Sequence, residues 1–419
     1  MKSLSLWLGS NMEAQRQQGR GFGRLKAFLF GFLGFVSFLS LNSFLLLAQP
    51  LSPSAQVSLI TVGPGEELYS SFGHSALRFS DPQQGVDKVY NYGTFDFRTD
   101  NFYVKFLRGT LPYQLSVAPM YYTLYGAQAE NREVIEQVLD LSPTQKQRLY
   151  DFLENNYLPQ NRQYQYKFFY DNCSTRLRDA LMAACGDSLR FSTISVSHDS
   201  TFKSYRAWMN DYLTFKEWEA FGMNLAIGLP ANETADVMGE MYLPYNLKDH
   251  FDRATLGGKP LVKQKVFLLL PSDPTHNSSN WYNYLFAPHF VFLCLGILVF
   301  YLNNKQKKIH WIDKLLFSIL GIAGWILLLL WVATDHGVTA YNVNLLWAMP
   351  LHFPLFFVVY KNTFWLKRYI MVCLGLIIML MIIVMFSHIK IPITDKILPE
   401  GLWLFLCAII VRFTTLAKS

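Results

Sequence analysis

Past residue 284 the chain runs through five apolar stretches, at roughly 285–302, 315–333, 343–360, 368–387 and 400–416, each near the length that crosses about 30 Å of hydrocarbon. A backbone inside a bilayer must satisfy its polar groups internally, so such runs fold as helices. Residues 281–419 are therefore expected to form an all-α transmembrane domain of about five helices. The third stretch carries Pro350 and Pro354, which predicts a kink or a re-entrant path.

Basic residues set the orientation. Lys305, Lys307, Lys308 and Lys314 fill the first loop, Lys361, Lys367 and Arg368 the third, and Arg412 and Lys418 lie near the chain end. The second loop, 334–342, has no Lys or Arg, and in the fourth Lys390 and Lys396 are balanced by Asp395 and Glu400. Positive charge on alternating sides fits an odd number of spans after a domain outside the cytoplasm. Ahead of that domain, Lys2, Arg16, Arg20, Arg24 and Lys26 precede the apolar run Ala27–Ala48. Residues 1–49 thus read as a cytoplasmic N-terminus with a signal peptide or a retained signal anchor. A multi-pass membrane protein follows, with residues 50–280 outside the cytoplasm. The net charge of +7 does not point to nucleic acid, because the basic residues flank apolar spans. Charged residues make up 16% of the chain against about 25% in globular proteins, and the deficit falls on the apolar half.

The segment 50–280 reads as α+β. Val57–Val62 is a strand ending at Gly63-Pro64-Gly65, and His74–Ser80 and Lys88–Phe97 are two more. Ser142-Pro143-Thr144-Gln145 is a capping box with proline at the first helical position, opening a helix to about Asn155. Another helix starts at Asp171 or Asn172, buries Leu177, Ala180, Leu181 and Ala184, and stops at Gly186.

Five cysteines occur, of which only Cys173 and Cys185 lie outside the apolar spans. On one helix, twelve residues apart, they stand roughly 18 Å from each other, too far for a disulfide. A free thiol facing an oxidising compartment invites a catalytic explanation. Cys173 sits where helix N–H groups and the positive end of the dipole favour thiolate and could hold an oxyanion. The bland alternative is a buried packing cysteine.

His74, between Gly73 and Ser75 on an alternating strand, is the candidate base, with His198 and His250 as competitors in looser contexts. A third group must hold the imidazole tautomer. Asn91 on the next strand is the first candidate and Asp96 the second. At the membrane boundary His336, Asn342 and Asn344 are costly unless used. They either contact headgroup or substrate or tie the loop to the domain. Asp335 and His336 lack a third ligand, so neither a metal nor another cofactor is expected. Asn172, Ser174 and Arg176 around the thiol are further candidates for substrate contact, with solvated surface the default for Arg176. The aromatic stretches Phe102–Phe106, Tyr121–Tyr125 and Tyr164–Tyr170 are mostly core, with some rings available to an acyl groove or a headgroup layer.

The runs Phe72–Phe79, Tyr90–Phe97 and Asp171–Arg176 resemble the Lnb-type lipoprotein N-acyltransferase family of Bacteroidota. The resemblance extends through Thr334–Thr339 and Asn342–Trp347 and so covers most of residues 55–350. It implies a soluble domain similar to circularly permuted papain-like (NlpC-like) folds, in which the histidine strand precedes the cysteine helix. It also implies a phospholipid acyl donor and a diacylated lipoprotein acceptor. A membrane-tethered papain-like amidase or peptidase of cell-wall peptide is the alternative enzyme, although five spans exceed what a tether needs. A non-enzymatic membrane scaffold with a structural Cys173 is the other.

Overall fold

The computed structural model describes residues 50–272, 286–304, 310–355, 357, 364–390 and 402–418; the expected signal segment 1–49 and most of the linker 270–282 lie outside them. The described chain opens with strand β1 (Gln56–Val62), β2 (His74–Asp81) and β3 (Val86–Thr94), followed by helix α1 (Phe102–Arg108), β4 (Pro112–Ala118), α2 (Met120–Ala129) and β5 (Val134–Leu139). Next come α3 (Pro143–Tyr157), β6 (Gln163–Gln165), α4 (Cys173–Cys185), β7 (Leu189–Arg190), α5 (Tyr205–Asp211) and α6 (Glu217–Ala226). The soluble part closes with α7 (Pro244–Arg253), β8 (Thr255–Leu256), β9 (Lys259–Pro260) and β10 (Val262–Leu269). Seven strands form one antiparallel sheet in the order β10-β5-β1-β2-β3-β4-β6, and β7-β8-β9 form a small second one.

β1 is buried along nearly its whole length, as a central strand covered on both faces must be. One face carries Ile60, Val62, Ala76, Val89 and Val134 under α2. The opposite face packs Phe79 on Tyr90 and Tyr150 at 5.6 and 5.2 Å between ring centroids. Helix α4 lies on β2 and β3 and against α3. Its Leu177, Ala180, Leu181 and Ala184 are all buried, and burial of each leucine contributes about 1.5–3 kcal/mol. The α3 capping box is present in both directions between Ser142 and Gln145. β3 stops at Thr94, so the predicted extension to Phe97 instead turns out of the sheet.

The apolar half folds into α8 (Pro288–Asn304), α9 (His310–Val332), α10 (Phe364–Lys390) and α11 (Leu402–Lys418). Of these, Trp311–Val332 and Phe364–Ile382 are long and apolar enough to cross a membrane, and α8 and α11 are shorter apolar helices. They share a core in which Phe317 stacks on Phe413 at 5.2 Å. The Arg412 guanidinium pairs with both carboxylate oxygens of the buried Asp313, at 2.6 and 2.5 Å.

The expected span 343–360 is not one helix. Its described residues form a 3-10 turn, Val343–Leu346, and a single short helix, His352–Leu355. The cause is visible on α9. A Cβ at Gly321 would stand 2.2 Å from the Phe353 amide nitrogen, and one at Gly324 would stand 2.2 Å from the Ala348 carbonyl oxygen. The two glycines let irregular backbone lie directly on α9. His352 is buried there, its Nε2 bonded to the Trp347 carbonyl and its Nδ1 to the Tyr369 hydroxyl. Irregular backbone at such depth survives only when protein satisfies it.

The soluble part is clasped to the helices by the 333–342 loop. The Asp335 N–H donates to the Arg108 carbonyl at 2.8 Å, and His336 Nε2 meets the Leu107 carbonyl at 3.1 Å. Asn342 Nδ2 donates to the Leu225 and Ala226 carbonyls at 2.8 and 3.0 Å. The Gly228 N–H donates to the Val338 carbonyl. Beneath this seam Arg206, fully buried and facing no acid, donates to Asn224, Ile227, Gly228 and Asn232.

Candidate active site

Asn172 builds the start of α4. Its backbone is extended, and its Oδ1 accepts from the Ser174 and Thr175 N–H groups at 2.9 and 3.0 Å. Thr175 Oγ1 returns the bond by accepting from the Asn172 N–H at 2.8 Å. Asn172 Nδ2 donates to the Phe168 and Tyr242 carbonyls, so this buried amide is fully used in fixing the turn. Cys173 is thereby the first helical residue, facing β2. Because Asn172 occupies the next two N–H groups, the expected anion-holding donors reduce to the N–H of Cys173 itself, which has no partner among the described residues.

His74 opens β2 directly after Gly73, whose φ of +78° belongs to glycine. A Cβ there would meet the Val62 carbonyl oxygen at 2.7 Å, so the turn that delivers the imidazole cannot carry a larger residue. His74 Nε2 faces Asn91 Oδ1 at 3.3 Å, while Asn91 Nδ2 donates to the Val89 carbonyl at 3.1 Å. That second bond fixes which way the amide points. Oδ1 accepts from Nε2–H, and Nδ1 is left for the thiol.

The thiol and the imidazole shift each other. Burial pushes the Cys173 thiol up, but the His74 charge, its hydrogen bond, the Ser75 N–H and the Ser174 hydroxyl together bring it below its ordinary value. Burial likewise pushes His74 down, but the Cys173 charge and the bonds to Cys173 and Asn91 raise it overall. Both shifts run in the direction that favours a thiolate beside an imidazolium. Cys185, at the other end of the same helix, lacks such partners, and burial pushes its thiol up to about 11. Both thiols are free.

Around the dyad, Ser75 and Ser174 share a buried hydroxyl bond of 3.0 Å that ties β2 to α4. Arg176 is held by both oxygens of Asp171, at 2.6 and 2.8 Å, and lies 3.6 Å over the Tyr164 ring. Two neighbours escaped the sequence reading. Gly93, at φ +89°, has room for nothing more: an added Cβ would sit 3.3 Å from the Tyr166 ring and 3.8 Å from Cys173 Cβ. Tyr166 is half-buried beside the thiol, and desolvation, with the Cys173 charge, holds its hydroxyl well above the ordinary phenol range. The Tyr90-Asn91-Tyr92-Gly93 run held a signal for the first, since a glycine inside a strand marks a close approach.

The competing groups stand elsewhere. His198 is exposed, His250 is buried against Glu240, and Asp96 bonds Arg98 at the surface. His336, Asn342 and Asn344 lie in the seam described above, with Asn344 also accepting from Trp347 Nε1. Among the described residues no three His, Cys, Asp or Glu side chains converge as a metal site requires. A cavity of about 150 Å³ between α6 and the start of α8, lined by Glu217, Phe221 and His289 among others, touches neither Cys173 nor His74.

A family model described as the Lnb N-terminal periplasmic domain matches residues 49–210, and one described as the Lnb transmembrane domain matches residues 278–419. No curated protein and no solved structure matches the chain. The two family matches span well over half of the chain, and each falls on the half whose folding agrees with it, the mixed α/β part and the helical part. The chain belongs to the Lnb family, as a membrane protein with a periplasmic domain ahead of a transmembrane one.

Proposed function

We propose that this protein is a thiol-dependent lipoprotein N-acyltransferase of a bacterial inner membrane, with Cys173 as nucleophile and His74 as acid and base. The carrying observation is a free, buried thiol at the first residue of α4, which packs on the strand that carries His74, whose ring Asn91 holds, in a chain with a transmembrane domain. Cys173 Sγ as thiolate attacks the ester carbonyl of a phospholipid. The carbon–oxygen bond breaks, the lysophospholipid alkoxide takes the proton from the His74 imidazolium, and a thioester remains. The Cys173 N–H faces the developing oxyanion. The α-amine of a diacylglyceryl-cysteine at a lipoprotein N-terminus then attacks the thioester. His74 takes the amine proton, and the thiolate leaves. Asn91 orients the ring throughout.

The order of histidine strand before cysteine helix supports a circularly permuted papain-like domain. Asn172, Ser174 and Arg176 then serve the reaction by positioning Cys173. His336, Asn342 and Asn344 serve it by seating the domain at the bilayer. Spanning helices suit a reaction whose donor and acceptor both reside in the membrane, and a lipid environment protects the thioester from water.

The test is mass spectrometry of a lipoprotein N-terminal peptide in a strain lacking other N-acyltransferases. The wild-type protein is expected to yield the N-acylated peptide and Cys173→Ala the free amine. N-acylation by the alanine variant would overturn the nucleophile. A wild-type protein that releases fatty acid or cell-wall peptide and leaves the amine free would overturn the transferase.

A further inference from the structure

A ladder of aromatic rings runs from the thiol to the protein surface. It starts at Tyr166, which lies with Gly93 against Cys173. Tyr166 stacks on Tyr113 at 4.6 Å, and Tyr113 meets Phe95 at 5.4 Å. Phe95 meets Phe97 at 5.0 Å and Phe102 at 5.8 Å, and Phe102 stacks on Phe106 at 6.3 Å. Rings near the thiol are buried or half-buried, whereas Phe97 is 72% and Phe106 49% exposed. Along α1 none of the seven residues is buried. A helix of that composition left uncovered by the described residues is unusual for a soluble surface.

The position of α1 identifies what covers it. Its last two carbonyls, of Leu107 and Arg108, are bonded by His336 and Asp335. These residues follow directly on α9, one of the two helices long enough to span a bilayer. The outer end of the ladder therefore lies where α9 leaves the hydrocarbon. Lys105 and Arg108 stand in the last turn of α1, suited to lipid phosphate.

We infer that α1 and the ring ladder form a lateral entry ramp, on which an acyl chain and ester of a membrane phospholipid pass from the bilayer surface to Cys173. The inference rests on the acyltransferase reading and deepens it by naming where the donor enters. The amide-free rings suit an acyl chain, which needs contact area and no hydrogen bonds.

The full-length protein, carrying a photoreactive phenylalanine analogue at position 97 or 106, would be reconstituted in vesicles of phosphatidylethanolamine and phosphatidylglycerol with a diacylated lipoprotein. Irradiation is expected to join phospholipid to both positions and not to the exposed control positions Phe152 and Phe202. Adducts to lipoprotein instead, equal labelling of the controls, or no lipid adduct at 97 and 106 would each overturn the ramp. The crosslink needs no turnover and is expected to persist in Cys173→Ala. A protein that crosslinks phospholipid but N-acylates nothing would therefore sink the transferase and leave the ramp standing. As a second measure, Phe97→Ser with Phe106→Ser should slow acylation of Cys173 by vesicle phospholipid about tenfold, with iodoacetamide labelling of Cys173 within roughly twofold of wild type. Equal loss in both assays, or no loss in the first, would overturn it.

Discussion

At the scale of single residues the site is a contest between burial and charge. Burial raises a thiol and lowers an imidazole, yet Cys173 moves down and His74 up because each charge favours the other. Removing one partner leaves burial opposed only by the bonds that remain, from Ser75 and Ser174 at the thiol and from Asn91 at the imidazole. In His74→Ala the thiol is therefore expected to titrate higher than in the wild type, in the direction that burial alone moves Cys185. The pH profile of Cys173 alkylation by iodoacetamide, read by mass spectrometry, checks this. The wild-type inflection should fall below pH 9 and the variant's should be shifted upward from it. An unmoved inflection would mean that helix dipole and backbone N–H groups alone depress the thiol. The transfer reaction should itself be bell-shaped. Its acid limb marks protonation of Cys173, and its alkaline limb marks loss of the His74 proton at a pH above 6.5. His74, Asn91 and Cys173 were legible because each sits in local grammar: a strand after glycine, the neighbouring strand, a helix after an asparagine cap. Gly93 and Tyr166 were not, since only the fold brings them to the thiol.

Elements differ in how much of them local sequence can carry. α4 was readable at both ends and along its stripe, because cap, periodicity and terminating glycine all lie within fifteen residues. β5 and β10 were missed because their places beside β1 and beside β5 depend on pairings across long stretches of chain. The stretch 343–360 misled for another reason. Its apolar composition matches a span, while the glycines that admit its broken path belong to α9. The α4 cap supplies a stability prediction. Asn172→Ala removes two bonds to helix N–H groups and leaves the buried Phe168 and Tyr242 carbonyls unpaired. The helix cap contributes about 1 kcal/mol, and each orphaned carbonyl costs about 1–3 kcal/mol. A fall of several kcal/mol in unfolding free energy is expected, measured by urea titration of the detergent-solubilised protein. Asn172→Asp, which keeps the two accepting bonds but cannot donate, should lie between alanine and wild type. An alanine variant as stable as wild type would deny the cap its role.

At the scale of the whole molecule the periplasmic domain and the helices are joined by backbone contact that tolerates no side chain. Sequence composition placed His336, Asn342 and Asn344 at the membrane boundary, but their partners lie on α1 and α6, out of reach of any local pattern. Val338 of the same loop enters the cluster containing Phe72 and Phe169, the neighbours of the His74 and Cys173 segments. The loop thus links the site directly to α9. The closest point of the seam is Gly228, where an added Cβ would stand 1.7 Å from the Ala340 carbonyl oxygen. No rotamer relieves a clash with backbone, so Gly228→Val must push the loop away or shift the domain. Neither movement breaks a direct bond of His74, Asn91 or Cys173, since none of the three is hydrogen-bonded to the loop among the described residues. The variant is therefore expected to keep the wild-type pH profile of Cys173 alkylation while losing at least about tenfold in acylation of Cys173 by vesicle phospholipid. A soluble short-chain thioester donor should acylate it as fast as it acylates the wild type. If the vesicle and soluble donors lose equally, the seam supports the dyad itself. If neither loses, seating of the domain on the helices has no part in bringing lipid to the thiol.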